Sequence, residues 1–252
     1  ITPTNYYTYR GPLIEEARTN LYSYSEQFDL WNITAESTVT ANAIAAPNGT
    51  LTADQIVNAT SGHYVYHQLS GVFSAAAGNP YAYSVYMKAG SSSSVTIRLQ
   101  ETRIATFDIS TETVSGVGVD CSAEIENVGN GWYRLVLLMP SFPSTGYIES
   151  QHRSTEAGNY YLWGAQLEAG SAASSYIPTT TAAVTRNADV LTYDTANWYA
   201  DGQAGTLQVD AEVIAKELQT DILYLGADGS RFIALAKDTS VNLLGWIKNT
   251  SN

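Results

Sequence analysis

Three features of the sequence predict an all-β fold, a jelly-roll β-sandwich followed by a shorter β-segment. Apolar and polar residues alternate with a period of two along most of the chain, whereas the period of an amphipathic helix is nearly absent. The alternating runs are short and separated by clusters of Gly, Asn, Pro and Ser, the residues that turns require. Eighteen tyrosines stand beside five phenylalanines, which favours strands and half-buried positions where a ring packs while its hydroxyl stays wet.

Taken in order, "HYVYHQLSGVF" from His63, "YAYSVYMKAG" from Tyr81 and "VTIRLQ" from Val95 read as three strands. "RIATFDIS" from Arg103 and "WYRLVLLMP" from Trp132 add two more, and "AAAGNP", "AGSSSS" and "NVGNG" supply turns between strands. Strands punctuated this regularly indicate two packed antiparallel sheets. "GPLIEEARTNL" offers at most a helical turn, and "TANWYADGQ" from Thr195 reads as a loop. "YYLWGAQLEAG" from Tyr160 is a further strand, and Pro178 in the following "SSYIPT" cannot donate a ladder hydrogen bond, so pairing stops there.

The Ala-, Ser- and Thr-rich stretch around residues 172–189 suggests a boundary, dividing the chain into residues 1–189 and a C-terminal β-segment, 190–252. In that segment "GTLQVDAEVI", "DILYLGADGSRFIALAKD" and "VNLLGWIKN" give short strands, with Asp228-Gly229 as a hairpin turn. So small a piece buries too little to stand as a sandwich alone. Three expectations are open: it packs on the first domain, it is an oligomerisation piece that pairs with other copies of the chain, or it is the start of a second sandwich.

Composition narrows the function. A net charge of −12 argues against nucleic acid as a partner, because phosphate contacts need a basic surface. It also disfavours adhesion to acidic polysaccharides. Cys121 is the only cysteine, so no internal disulfide or Cys-based zinc site can form, and a small buried hydrophobe is expected. No run approaches the roughly 20 apolar residues of a membrane span, so membrane insertion is not expected. His63 and His67 would share a helix face, but on a strand they lie about 13 Å apart and cannot share one metal. No Gly-x-Ser-x-Gly, phosphate loop or His-Glu-x-x-His is present. The acidic stretches "IEEAR", "AEIEN" and "QLEAG" carry no distinctive catalytic signature. Binding is therefore favoured over catalysis.

"GPLIEEARTNLYSYSEQFDLW" (Gly11–Trp31), "APNGTLTADQI", "YAYSVYMKAG", "GNGWYRL" and "LWGAQLEAG…SSYIPT…VTRNAD" occur in that order over residues 11–190. Together they resemble a domain common in bacteriophage and prophage fibre and spike proteins, itself similar to carbohydrate-binding-module jelly rolls. The piece after Asp189 is similar to the start of a laminin-G or concanavalin-like sandwich. The resemblance implies a head or tail appendage at the virion surface, contacting other virion proteins and host cell-surface glycans and assembling as a homo-oligomer, most plausibly a trimer. It also implies "YYLWGAQLEAG" as the closing strand and "SSYIPT" as an exit packing back over its edge. By resemblance a structural calcium would draw on Glu15, Glu16, Asn20, Glu168 and Asp189, hard oxygen ligands that suit Ca²⁺. The competing expectation is that Arg18 and Arg186 pair with these carboxylates. No other cofactor is expected.

Sugar binding needs an aromatic face for the pyranose and amide, guanidinium or carboxylate groups for its hydroxyls. Strand parity turns Tyr64, Tyr66 and Gln68 outward on one strand, Ser84, Tyr86 and Lys88 on the next, and Thr96, Arg98 and Gln100 on a third. If the three strands are neighbours, Tyr64, Tyr66, Gln68, Tyr86, Arg98 and Gln100 form one polar-aromatic platform. The alternative is a set of ordinary cross-strand pairs on a wet face. His152, with Glu149 and Arg153, reads as a loop or strand-end cluster, and Trp31, Trp132 and Trp163 as core. Arg134, sharing a face with Trp132, suits a stacked Arg–Trp pair. Three functions are thus in play: a glycan-binding virion appendage, a purely structural decoration or fibre protein, and a fragment of a carbohydrate-active enzyme.

Overall fold

A computed structural model of the chain describes residues 13–69, 78–99, 102–141 and 148–190, and the backbone of 220–228, 231–237 and 243–249. In chain order the strands begin with β1 (Arg18–Asn20), β2 (Asn32–Ile33), β3 (Ser37–Ile44), β4 (Ala53–Asn58), β5 (Tyr64–Leu69) and β6 (Tyr81–Ala89). They continue with β7 (Ser94–Leu99), β8 (Arg103–Asp108), β9 (Thr113–Ser115), β10 (Ser122–Gly129), β11 (Trp132–Met139) and β12 (Ile148–Ser154). β13 (Gly158–Ala169), β14 (Val184–Arg186), β15 (Thr220–Asp228), β16 (Arg231–Lys237) and β17 (Leu243–Asn249) complete them. Among the described residues the only helical element is a 3-10 turn, Phe28–Leu30.

Two six-stranded antiparallel sheets form the sandwich. The first has the order β2-β5-β12-β7-β8-β9 and the second β10-β11-β6-β13-β4-β3. The chain crosses between sheets at β2–β3, β4–β5, β5–β6, β6–β7, β9–β10, β11–β12 and β12–β13. This shuttling makes the fold the expected jelly-roll type of all-β sandwich. Each predicted run from "HYVYHQLSGVF" to "WYRLVLLMP" holds a strand, the first over Tyr64–Leu69 with residues 70–73 outside the described ones. "GTLQVDAEVI" lies outside the described residues. The described strands β15, β16 and β17 form an antiparallel meander in that order, with Asp228 opposite Arg231; Gly229 of the predicted turn lies outside the described residues.

Parity fills the space between the sheets. Val95, Ile97 and Leu99 of β7, Ala105 and Phe107 of β8, and Leu135 and Leu137 of β11 are fully buried. They meet Tyr83, Val85 and Met87 of β6 in one core, and each such aliphatic side chain contributes about 2 kcal/mol by leaving water. Tyr22, Phe28 and Trp31, from the segment before β2, enter the same core.

β6 and β13 are buried on both faces through much of their length. The reason is a strap, residues 170–179, that crosses the outer face of the second sheet instead of packing over an edge. Arg134 of β11 donates to Ser174 O (2.6 Å), Ile177 N donates to Gln166 Oε1 of β13 (2.7 Å), and the Tyr176 ring lies 4.5 Å from that of Trp163. Beyond Pro178, Thr179 N donates to Ser25 Oγ, so the chain leaves the sheet for the N-terminal segment. β1 then pairs with β14, which brings the two ends of the sandwich together.

Trp132 and Trp163 are buried as expected, but outside the sandwich core. They pack with Ala46 and Ala53 on the outer face of the second sheet. Trp132 Nε1 donates to Ala45 O and Trp163 Nε1 to Thr52 Oγ1, so the loop between β3 and β4 folds over them. The Arg–Trp stack does not form, because Arg134 lies over Tyr86 instead, 5.6 Å from the ring centroid. Cys121 is half-buried rather than sealed in the core, and burial raises its pKa.

Candidate functional site

The predicted platform divides between the two sheets. Tyr64, Tyr66 and Gln68 lie on β5 and Arg98 on β7, with β12 hydrogen-bonded between them. The assumption that β6 adjoins these strands is corrected by the topology. β6 belongs to the second sheet, so Tyr86 is on the opposite side of the molecule. There it is wedged against Trp163 (5.2 Å) and Tyr176 (6.2 Å), and burial raises its pKa. Gln100 lies outside the described residues.

β12 supplies what the sequence reading left in a loop. Register sets Glu149 opposite Gln68, Gln151 opposite both Tyr66 and Arg98, and Arg153 opposite Tyr64 and Thr96. Alternation sends these three side chains to the outer face. They form a relay along the strand: Gln151 Nε2 donates to Glu149 Oε1, and Arg153 Nη1 donates to Gln151 Oε1 (3.2 Å). The Arg153 guanidinium then sits 4.9 Å over the Tyr64 ring, a cation–π contact that fixes both. Tyr64 and Tyr66 are 5.6 Å apart with planes inclined at 59°. On the far side of Arg153, Thr96 Oγ1 and Thr106 Oγ1 share a hydrogen bond of 2.8 Å.

The other parity of β12 points into the core. His152, placed by sequence in a strand-end cluster, is instead fully buried at mid-strand, 2.6 Å from the Tyr83 hydroxyl. Burial pushes its pKa down to about 3, so the imidazole is neutral. His67 stacks on Tyr22 at 4.8 Å and is likewise lowered by burial, to about 4. His63 lies at the rim, 3.3 Å from Glu36. His67 and His152 pack on the same Trp31 ring, at 4.9 and 5.6 Å between centroids, while His63 stands apart at the rim.

The calcium candidates converge near the paired chain ends, but their oxygens already face protein donors. Glu168 accepts from Gln166 Nε2, Ser174 N and Ser174 Oγ, with Arg18 Nε at 3.7 Å. Glu15 pairs with Arg186 and accepts from Ser175 N. Burial alone would raise the Glu15 pKa, yet those partners hold it below the ordinary value. Asn20 Oδ1 accepts from Tyr22 N and Leu167 N, Glu16 pairs with Arg18, and Asp189 Oδ2 accepts from Glu15 N. The less exposed carboxylates of the set, Glu15 and Glu168, are taken up by protein donors, whereas a cation needs several free oxygen lone pairs directed at one point. Among the described residues, no group of three or more His, Cys, Asp or Glu is placed to hold a metal ion.

No family model matches the chain. No curated protein matches its sequence. Among solved structures it is similar to the CBM22-1–GH10 modules of the N-terminal endo-1,4-β-D-xylanase 10B of Clostridium thermocellum, complexed with xylohexaose. The identity there is 18%, the TM-score 0.42, and the overlap 66% of this chain and 30% of that one. It is also similar to the enzymatically active domain of tailspike protein 4 of bacteriophage CBA120. That match has 16% identity and a TM-score of 0.38, over 60% of this chain and 21% of that one. The chain thus spans less than a third of either neighbour.

Proposed function

We propose that the chain is a non-catalytic glycan-binding part of a virion appendage, a head or tail fibre or spike, with the outer face of the first sheet as its platform. One observation carries the reading: Tyr64, Tyr66 and Gln68 share a face with Arg98 across a strand that presents Glu149, Gln151 and Arg153. Aromatic rings beside locked amide and guanidinium groups are what stacking on a sugar and bonding its hydroxyls require. The ordered motifs of residues 11–190 support the phage assignment by resemblance. In this reading residues 1–189 form the binding module, 190–252 form an added β-segment, and the appendage is a homo-trimer at the virion surface.

The test is a microarray of bacterial surface glycans probed with the wild type and a Tyr66→Ala/Arg98→Ala variant. Binding by the first and not the second is expected. Equal binding by both would remove the platform from this face. Enzymatic depolymerisation of a bound polysaccharide would turn the reading towards a carbohydrate-active enzyme. Sedimentation showing only monomer at micromolar concentration would exclude the trimer.

A further inference from the structure

We infer that this face takes an internal stretch of a linear, uncharged oligosaccharide lying across the strands, an inference that rests on the glycan reading above. Cross-strand register arranges the face in rows perpendicular to the strands. One row runs Asn32, Tyr66, Gln151, Arg98 and Ile104 over β2, β5, β12, β7 and β8. The next runs Tyr64, Arg153, Thr96, Thr106 and Ser115 over β5, β12, β7, β8 and β9. Four strand gaps of about 4.8 Å give each row about 19 Å, room for about four pyranose units laid end to end.

The side chains between the rings and the hydroxyls lie down along the sheet. Gln151 is 8% exposed, held between Glu149 and Arg153, and Arg153 rests on Tyr64. The rows are therefore continuous from the rings on β5 to the Thr96–Thr106 hydroxyl pair. A chain lying along the second row would meet a hydrogen-bonding group at each strand, whereas a lone terminal sugar would meet only one or two.

Charge decides the class of sugar. Arg98 and Arg153 on this face are balanced by Glu149 and, at its edge beside Ser94, Asp108. The chain as a whole carries −12. A polyanionic glycan would meet no net positive field here and would be repelled at longer range.

Calorimetry with gluco-, manno-, galacto- and rhamno-oligosaccharide ladders of one to six residues tests this, with an oligogalacturonide ladder as the charged counterpart. At least one neutral ladder should show no measurable monosaccharide binding and affinity that climbs to about four residues and then levels. It should change little between low and high salt. Thr106→Val, three strands along the row from Tyr64, should weaken the tetramer about fivefold, the loss of one hydrogen bond, and leave the dimer unaffected. Thr96→Val should act in the same way, with circular dichroism confirming that both variants fold. A monosaccharide bound as tightly as its tetramer, or steeply salt-dependent binding of oligogalacturonide, would overturn the linear, neutral assignment while leaving glycan binding intact. Failure of every glycan on the array and in these ladders to bind would sink both.

Discussion

The Tyr83 hydroxyl and His152 Nε2 are 2.6 Å apart, and both side chains are fully buried between the sheets. This hydrogen bond ties β6 of the second sheet to β12 of the first, the strand whose other face carries Glu149, Gln151 and Arg153. It also makes the fold sensitive to acid. Burial holds the His152 pKa near 3 and that of His67 near 4, both below the ordinary 6.5. A histidine depressed in this way adds stability that is fully present above pH 6.5 and is lost as pH falls towards the folded value. Acidification from pH 7 to pH 4.5 should cost about 3 kcal/mol through His152 alone, two units at about 1.4 kcal/mol each. Urea unfolding at both pH values should give His152→Gln a lower stability at pH 7 but a shallower fall on acidification. Parallel falls for wild type and variant would refute the assignment.

Asp54 runs the other way. Its carboxylate accepts from Phe28 N (2.7 Å) through Oδ2 and from Asn42 N (2.8 Å) through Oδ1, joining the 3-10 turn to the bulge of β3. Burial nevertheless dominates and lifts its pKa to about 6 from 3.8. A carboxyl raised on folding contributes stability that is present below pH 3.8 and lost as pH rises through 6. Asp54→Asn loses an acceptor oxygen, and an unmade hydrogen bond costs about 1–2 kcal/mol. Its stability relative to the wild type should be lowest near pH 4 and rise by roughly 2–3 kcal/mol by pH 7.5, enough to offset that loss. A deficit that grows with pH would show the carboxylate to be favoured where it sits.

Legibility in the sequence followed how each strand is buried. β7 and β8 face the core on one side and water on the other, so their alternation announces both strand and parity. β12, "IESQHRS", does not, because of its inward positions only Ile148 is apolar; Ser150, His152 and Ser154 are polar, and the polarity of His152 is met by Tyr83 across the core. A strand whose interior face is largely polar looks like a loop, which is why His152, Glu149 and Arg153 read as a loop or strand-end cluster in the sequence. β3 and β10 were missed for a related reason: edge strands with one exposed flank need little apolar patterning. Tyr86 was read correctly as pointing away from the core, but parity says nothing of which sheet a strand joins. That is a property of the crossovers, set by packing over the whole sandwich.

Glu168 clamps the strap. It is fully buried and accepts three hydrogen bonds, two of them from Ser174, beside the Arg18 guanidinium. Glu168→Ala leaves the Ser174 N–H without its acceptor and removes Arg18's buried counterion. Removing one member of a buried ionic pair costs about 3–5 kcal/mol, here at the lower end because the Arg18–Glu168 separation is long. Limited proteolysis should cut the variant within residues 170–179 well before the wild type. Resistance equal to wild type would show that Tyr176 stacking alone secures the strap.

Gly164 sets how closely that strap can approach. It lies at the register shift of β13 between Trp163 and Gln166, with φ +64°. A Cβ there would come within 3.0 Å of the Tyr86 ring and 3.4 Å of Tyr176. Gly164→Ala therefore meets two costs: about 1–2 kcal/mol for a left-handed backbone in an L-residue, and displacement of Tyr176 from Trp163. Thermal unfolding should show a clear loss of stability, with a change in near-ultraviolet circular dichroism as the Trp163–Tyr176 contact loosens. Gly158→Ala, at φ +148° and 2.8 Å from Ser91 Oγ, should lower stability without that spectral change, since its surroundings hold no aromatic ring of the cluster. Matching spectra for the two variants would mean that Gly164 serves the backbone alone and that the strap's aromatic contact does not depend on it.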